Sequence, residues 1–182
     1  MLTTLVVQVE NKPGVLNRVA SLFRRRGFNI ESLTVGHTEK AGVSRMTVVV
    51  DTDDPGAARL EANLYKLVHV LRVENVSKIP SVFRDLAIIK VMTTPETRAE
   101  IMQLAHVFRA RVLDVNHDSM LLETTGTEDK IDSLIEVLRG YGIVEMARTG
   151  RVAVTRGSWV ESAHTARGEA ADHEDENVSY SV

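Results

Sequence analysis

Two hydrophobic periods alternate along the first 78 positions. Leu5, Val7 and Val9 lie two apart and put one face of an extended segment, ending near Glu10, toward a core. Val15, Leu16, Val19, Leu22 and Phe23 then recur at helical spacing. Arg24-Arg25-Arg26 complements the negative end of that helix, and Gly27 is a natural stop. Phe28 to about His37 reads as a second strand. Lys40-Ala41-Gly42 turns the chain into a third, Ser44 to Val50. Asp54-Pro55 opens a second helix carrying Leu60, Leu64, Leu67 and Val68, and Val70–Val76 closes the unit as a fourth strand.

After a break near Ile79-Pro80-Ser81 the order repeats. Leu86–Met92 is predicted as a strand, Pro95 to about Ala110 as a helix with Ile101, Leu104, Ala105 and Phe108 inward. Val112–Val115 and Met120–Glu123 follow as strands. The next helix starts after Thr127, with Ile131, Leu134, Ile135 and Leu138 inward, and the last full strand is Ile143–Ala147. Val152-Ala153-Val154 can add one more edge. The fold class is therefore α+β, two tandem ferredoxin-like βαββαβ sandwiches. The divisions are 1–78 for the first domain, 79–84 for a linker, 85–157 for the second domain and 158–182 for an acidic tail. Each half has about 75 residues, a size at which isolated domains are marginal, so pairing of exposed sheet edges into a homodimer is expected.

Composition narrows the function. The chain of 182 residues is 43% apolar and 26% charged, with net charge −3 and no cysteine. Disulfides and thiolate metal sites are thereby excluded. Six acids against one arginine from Ser158 onward make the tail net −5, which leaves +2 on residues 1–157. With few large apolar residues the tail cannot offset its ordering entropy, and disorder is expected there. The balance disfavours nucleic acid as a partner. The central strands, Leu5–Val9 and Arg45–Val50, also lack the aromatic rings on which RNA-recognition sheets stack bases. Met1–Thr4 begins no signal peptide, and no apolar run approaches a membrane span, so a cytoplasmic protein is expected.

The segment Val9-Glu10-Asn11-Lys12-Pro13-Gly14-Val15-Leu16 carries the main candidate chemistry. A strand runs into a Pro-Gly turn from which a helix opens, and the first N–H groups of a helix are a seat for a small anion. A free amino acid could place its carboxylate on the N–H groups of Gly14, Val15 and Leu16 and its ammonium on the Asn11 side-chain oxygen and nearby carbonyls. Leu16 and the second strand could surround an aliphatic side chain. On local pattern alone, a plain turn shaped by Asn and Pro-Gly is the simpler account. Other candidates are weaker. Asp51-Thr52-Asp53-Asp54-Pro55-Gly56 begins like a calcium loop, but Ala62 stands where a bidentate Glu is required, so these acids read as helix caps. Asp114, His117 and Asp118 fall at a hairpin and read as a solvated turn. Nucleophile-elbow, P-loop and dinucleotide motifs are all missing, which leaves catalysis no visible seat.

Glu10–Val19 and Phe23-Arg24-Arg25-Arg26-Gly27-Phe28-Asn29-Ile30-Glu31-Ser32-Leu33 resemble the regulatory (small) subunit of acetohydroxyacid synthase, also called acetolactate synthase, with an N-terminal ACT domain. Ser44–Thr47, Lys66–Val70, Arg84–Ala87 and Gly150–Gly157 fit as well, so the likeness spans about residues 2–157. It implies a subunit without its own active site or cofactor. Its partner would be the catalytic subunit, which condenses two pyruvates, or pyruvate with 2-oxobutanoate, and holds thiamine diphosphate, Mg2+ and FAD. It further implies activation of that partner and feedback inhibition, usually by valine. The effector-binding positions carried over are Asn11, Gly14, Val15 and Leu16 from one chain and Asn29 and Ile30 from the other, which reverses the preference for a plain turn. Met92–Glu96, the matching loop of the second unit, lacks the Asn and Gly, so no second effector site is expected there. The remaining alternatives are a free-standing ACT-type amino-acid sensor acting on another enzyme or on transcription, and a small-molecule enzyme on the same scaffold.

Overall fold

The computed structural model describes residues 1–157; the tail reading for 158–182 lies outside the described residues. The first unit contains β1 (Leu2–Glu10), α1 (Val15–Arg25), β2 (Ile30–His37), β3 (Val43–Asp51), α2 (Asp54–Leu64) and β4 (Val70–Asn75). The second contains β5 (Ser81–Met92), α3 (Arg98–Val107), β6 (Arg111–Val115), β7 (Ser119–Gly126), α4 (Glu128–Arg139), β8 (Ile143–Arg148) and β9 (Val152–Thr155). Strand order is β2-β3-β1-β4 in one sheet and β6-β7-β5-β8 in the other, with every pairing antiparallel. The two tandem ferredoxin-like sandwiches read from the periodicity are thus present.

One face of each sheet is covered by its two helices. In the first unit Leu5, Val7 and Val9 of β1 meet Val15, Val19, Leu22 and Phe23 of α1 and Leu60 and Leu64 of α2. In the second, Ala87, Ile89 and Val91 meet Ile101 and Ala105 of α3 and Ile131, Leu134 and Leu138 of α4. The helix ends follow local chemistry. Gly27 takes φ 72° and donates to the Arg24 carbonyl, while the Phe28 N–H closes back on Phe23. Strand β2 therefore starts at Ile30 rather than at Phe28. Asp53 caps α2 by accepting the Gly56 N–H at 2.7 Å, the role the sequence assigned to those acids.

Three boundaries differ from the periodicity. Helix α2 stops at Leu64, short of Leu67 and Val68, and Tyr65–Leu67 form tight turns that leave Val68 85% exposed. Helix α3 begins at Arg98 and not at Pro95, because Thr94 and Thr97 exchange side-chain-to-backbone hydrogen bonds and hold a turn. The break read at 79–84 is shorter, since Ser81–Arg84 already belong to β5. These four residues pair with β9, far away in the chain and invisible to a local pattern.

The ribbon of β5 and β9 joins the units. It lies on the face of the first sheet that the helices leave open, where Val6, Val76 and Ala153 are buried with Phe83 against them. Arg45 donates to the Ala153 carbonyl at 2.8 Å, and the Arg151 N–H donates to the Ser32 hydroxyl at 3.0 Å. Gly150 is needed for proximity: a Cβ there would sit 2.4 Å from Ser32 Oγ, 2.7 Å from Thr34 Oγ1 and 3.1 Å from the Leu33 carbonyl oxygen.

Truncating a core side chain sets the scale for the second unit. Leu134→Ala should cost about 2–5 kcal/mol in urea unfolding, because Leu134 is fully buried and its neighbours collapse only partly around the cavity. Gly150→Ala should cost about 1–3 kcal/mol by overpacking the ribbon and should speed amide exchange in β9. Gly140→Ala, at an ordinary helical conformation with only a carbonyl at 3.8 Å, should be neutral or stabilise by about 0.4–1 kcal/mol.

Candidate functional site

The loop between β1 and α1 is pinned from three sides. The Glu10 N–H donates to the His69 carbonyl at 2.9 Å, and the Asn11 N–H donates to the Gly42 carbonyl at 2.7 Å, tying the loop to the β2–β3 turn. The Glu10 carboxylate holds Lys12 Nζ at 2.6 Å and His69 Nδ1 at 2.9 Å. Hydrogen bonding to Lys12, then to His69, keeps that carboxyl below the ordinary glutamate range. His69 is the residue that sequence reasoning did not place here. Its signal is only the entry to β4, which the sheet brings beside the end of β1.

Gly14 occupies the position before the helix at φ 81°, in the left-handed region. A Cβ at Gly14 would meet no protein atom within 4 Å, so within the chain itself it is the left-handed backbone that favours glycine. Beyond it α1 starts without a side-chain cap and without an acidic residue in its first turn. The Val15 N–H makes one long bond of 3.4 Å to the Lys12 carbonyl. Asn11, Lys12, Pro13 and Gly14 are exposed, Val15 is buried under the helix, and Leu16 is 42% exposed. The arrangement can hold a small carboxylate against uncapped amides at the positive end of a helix dipole, with an apolar side chain beside it.

Asn29 and Ile30 lie elsewhere. Ile30 pairs with Val50, and Val50 pairs with Thr3, whereas the Gly14 loop follows Glu10, which pairs with Val43 at the other end of β3. Seven residues of β3 separate the two ends, a span of about 20 Å. One chain therefore brings Asn11, Gly14, Val15 and Leu16 together and holds Asn29 and Ile30 apart from them. Ile30 opens β2, the edge strand of its sheet, and Asn29 immediately precedes it. Asn29 Nδ2 donates to Glu31 Oε1 at 2.5 Å, and both residues are exposed.

Among the described residues no group of three or more His, Cys, Asp or Glu converges to hold a metal ion. Asp114 accepts a hydrogen bond from Asn116 at 2.6 Å in the β6–β7 turn, where the sequence placed a solvated hairpin. Among the described residues no helix is long and apolar enough to cross a membrane.

Comparison with known proteins bears on the whole arrangement. Residues 5–72 match the ACT domain typical of acetohydroxyacid synthase small subunits, and residues 84–157 match the small subunit of acetolactate synthase. The probable acetolactate synthase small subunit of Archaeoglobus fulgidus is 53% identical over 155 residues, covering 85% of this chain and 97% of that protein. The small subunits of Mycolicibacterium smegmatis and Bacillus subtilis are 48% and 47% identical, each covering 85% of this chain and 91% and 90% of their own length. A crystal structure of the small subunit from Thermotoga maritima superposes with a TM-score of 0.82 at 40% identity, over 86% of this chain and 98% of that one. Both halves, in the order and at the lengths the resemblance required, place this chain in the acetolactate synthase small-subunit family.

Proposed function

We propose that this subunit activates a thiamine-dependent catalytic subunit and makes it sensitive to valine, the effector binding between the ACT units of two chains. The observation that carries the reading is the uncapped start of α1 behind a left-handed Gly14, in an exposed loop braced by Glu10, Lys12 and His69. The effector carboxylate would accept the N–H groups of Gly14, Val15 and Leu16, and Asn11 would take the ammonium. Asn29 and Ile30 of a second chain would complete the pocket. A two-fold axis beside the β2 edges turns the far end of one strand toward the near end of the other, which reconciles the roughly 20 Å separation within one chain with a single site.

The regulatory subunit supplies no acid, base or nucleophile to the carbon–carbon bond-forming step. Thiamine diphosphate, Mg2+ and FAD are assigned to the catalytic subunit, and both subunits to the cytoplasm. Feedback is then a linkage: valine shifts the assembly by binding the inhibited arrangement more tightly than the active one. A pocket built from two chains suits that task, because occupancy reports how the two ACT units are oriented.

Gly14→Asp should abolish inhibition of the reconstituted holoenzyme by valine while leaving activation in place. Gly14→Asn is the matched control, since Asn and Asp tolerate left-handed backbone about equally and only Asp adds a carboxylate where the ligand's own should sit. The inhibition constant should rise by about 100-fold or more for Asp and by less than about 10-fold for Asn. Undiminished inhibition of the Asp variant would remove the site. Valine at about 100 times its dissociation constant should stabilise the subunit by about 2.7 kcal/mol, read as a higher Tm, and alanine at equal concentration should do less.

A further inference from the structure

Segment Arg148–Arg151 stands between the start of β2, at Ile30, and the start of α4; its backbone rests on β2, while its arginine side chains reach β1, β5 and α4. The Arg151 guanidinium donates to Thr4 Oγ1 at 3.0 Å in the first unit and to Glu128 Oε2 at 2.6 Å on the first residue of α4. It lies 5.3 Å from the centroid of the Phe83 ring. Three residues earlier Arg148 bonds Asp85 of β5 at 2.9 Å and Asp132 of α4 at 2.5 Å. The first turns of α4 are therefore tied by two carboxylates to the segment whose backbone rests on β2.

On the β2 side the contact is close. The Arg151 N–H bonds Ser32 Oγ, and Gly150 leaves no room for a Cβ over Ser32 and Thr34. Between Ile30 and Ser32 the β2–β3 register shifts, a bulge centred on Glu31. Without it, Ile30 and Ser32 would share a face. With it, Ile30 and Leu33 both pack on the helix-side core while Ser32 turns to the ribbon. A displacement of Asn29 or Ile30 thus reaches Ser32 through one irregular residue, and from there the Gly150-Arg151 backbone. A cleft of about 430 Å³ lies at the junction, its lining including Glu31, Ser32 and Leu33 of the first unit and Glu128, Arg148 and Arg151 of the second.

We infer that Arg151 is the positioning residue that carries effector occupancy from β2 of the ACT unit to α4 of the second unit. The inference rests on the regulatory reading above and specifies how that site is heard. Arg151 does not touch the effector in this scheme. It fixes the second unit to a sheet edge that the effector moves, so its removal should separate binding from response.

The test uses the full chain with its catalytic subunit. Arg151→Gln should bind valine by calorimetry within about 3-fold of wild type and activate the partner within about 2-fold, while the concentration for half-inhibition rises by about 10-fold or more. Glu128→Gln removes the other half of the pair from an exposed position and tests the same link should Arg151→Gln fold poorly. It should shift inhibition in the same direction, and the double variant should do no worse than Arg151→Gln alone. Wild-type inhibition in both variants overturns the inference. Equal loss of valine binding and inhibition also overturns it, because Arg151 would then merely support the pocket. A wild-type subunit that neither binds valine nor confers inhibition removes the regulatory reading, and this one with it.

Discussion

Two helices can cover only one face of a four-stranded sheet, and the structure depends on how the other face of the first sheet is buried. Strand β1 has apolar residues pointing both ways. Leu5, Val7 and Val9 go to the helices, and Val6 goes to the opposite side, where it is equally buried. Its partners there are Val76, Phe83 and Ala153, of which the last two belong to the ribbon of β5 and β9. Burial of that kind removes apolar surface from water at about 25 cal/mol per Å². The first unit and the unit that follows it are consequently packed together, and polar contacts set the geometry of the junction.

Those polar contacts are arginine-centred. Arg45, Arg148 and Arg151 each reach across between elements distant in the sequence, to Ala153, to Asp85 and Asp132, and to Thr4 and Glu128. A planar guanidinium can serve two acceptors at fixed angles, which a lysine cannot. For Arg45, partial burial lowers the pKa, and the field of Glu74 and Glu39 works against that shift. Charged groups thus specify an orientation that the small apolar cluster around Val6 would leave loose.

Much of this was legible in the sequence where structure is local. The two-residue period of Leu5-Val7-Val9 and the helical spacing of Val15 to Phe23 identify the elements, and the repetition of that order identifies the fold. The Asn-Lys-Pro-Gly turn marks the candidate site. What escaped is non-local. Nothing near Val82 or Phe83 announces a partner strand at Val152, so residues read as linker turn out to be sheet. Gly14 is legible as part of a Pro-Gly turn, but its left-handed backbone belongs to a loop pinned to Gly42 and His69. Arg151 is legible only as part of a resemblance, because its partners Thr4 and Glu128 lie 147 and 23 residues away, in different units of the chain.

The register of β3 carries one more consequence. If the proposed pocket is right, a solitary chain would present two separate half-pockets, since Gly14 and Ile30 sit at opposite ends of the same sheet. On the reading proposed here, metabolite sensing is then a property of the pair, and it obeys mass action in the subunit itself. Below its self-association constant the protein would be deaf to valine, however well each chain is folded. A cell could tune the gain of this feedback loop through the amount of small subunit it makes, without altering a single pocket residue.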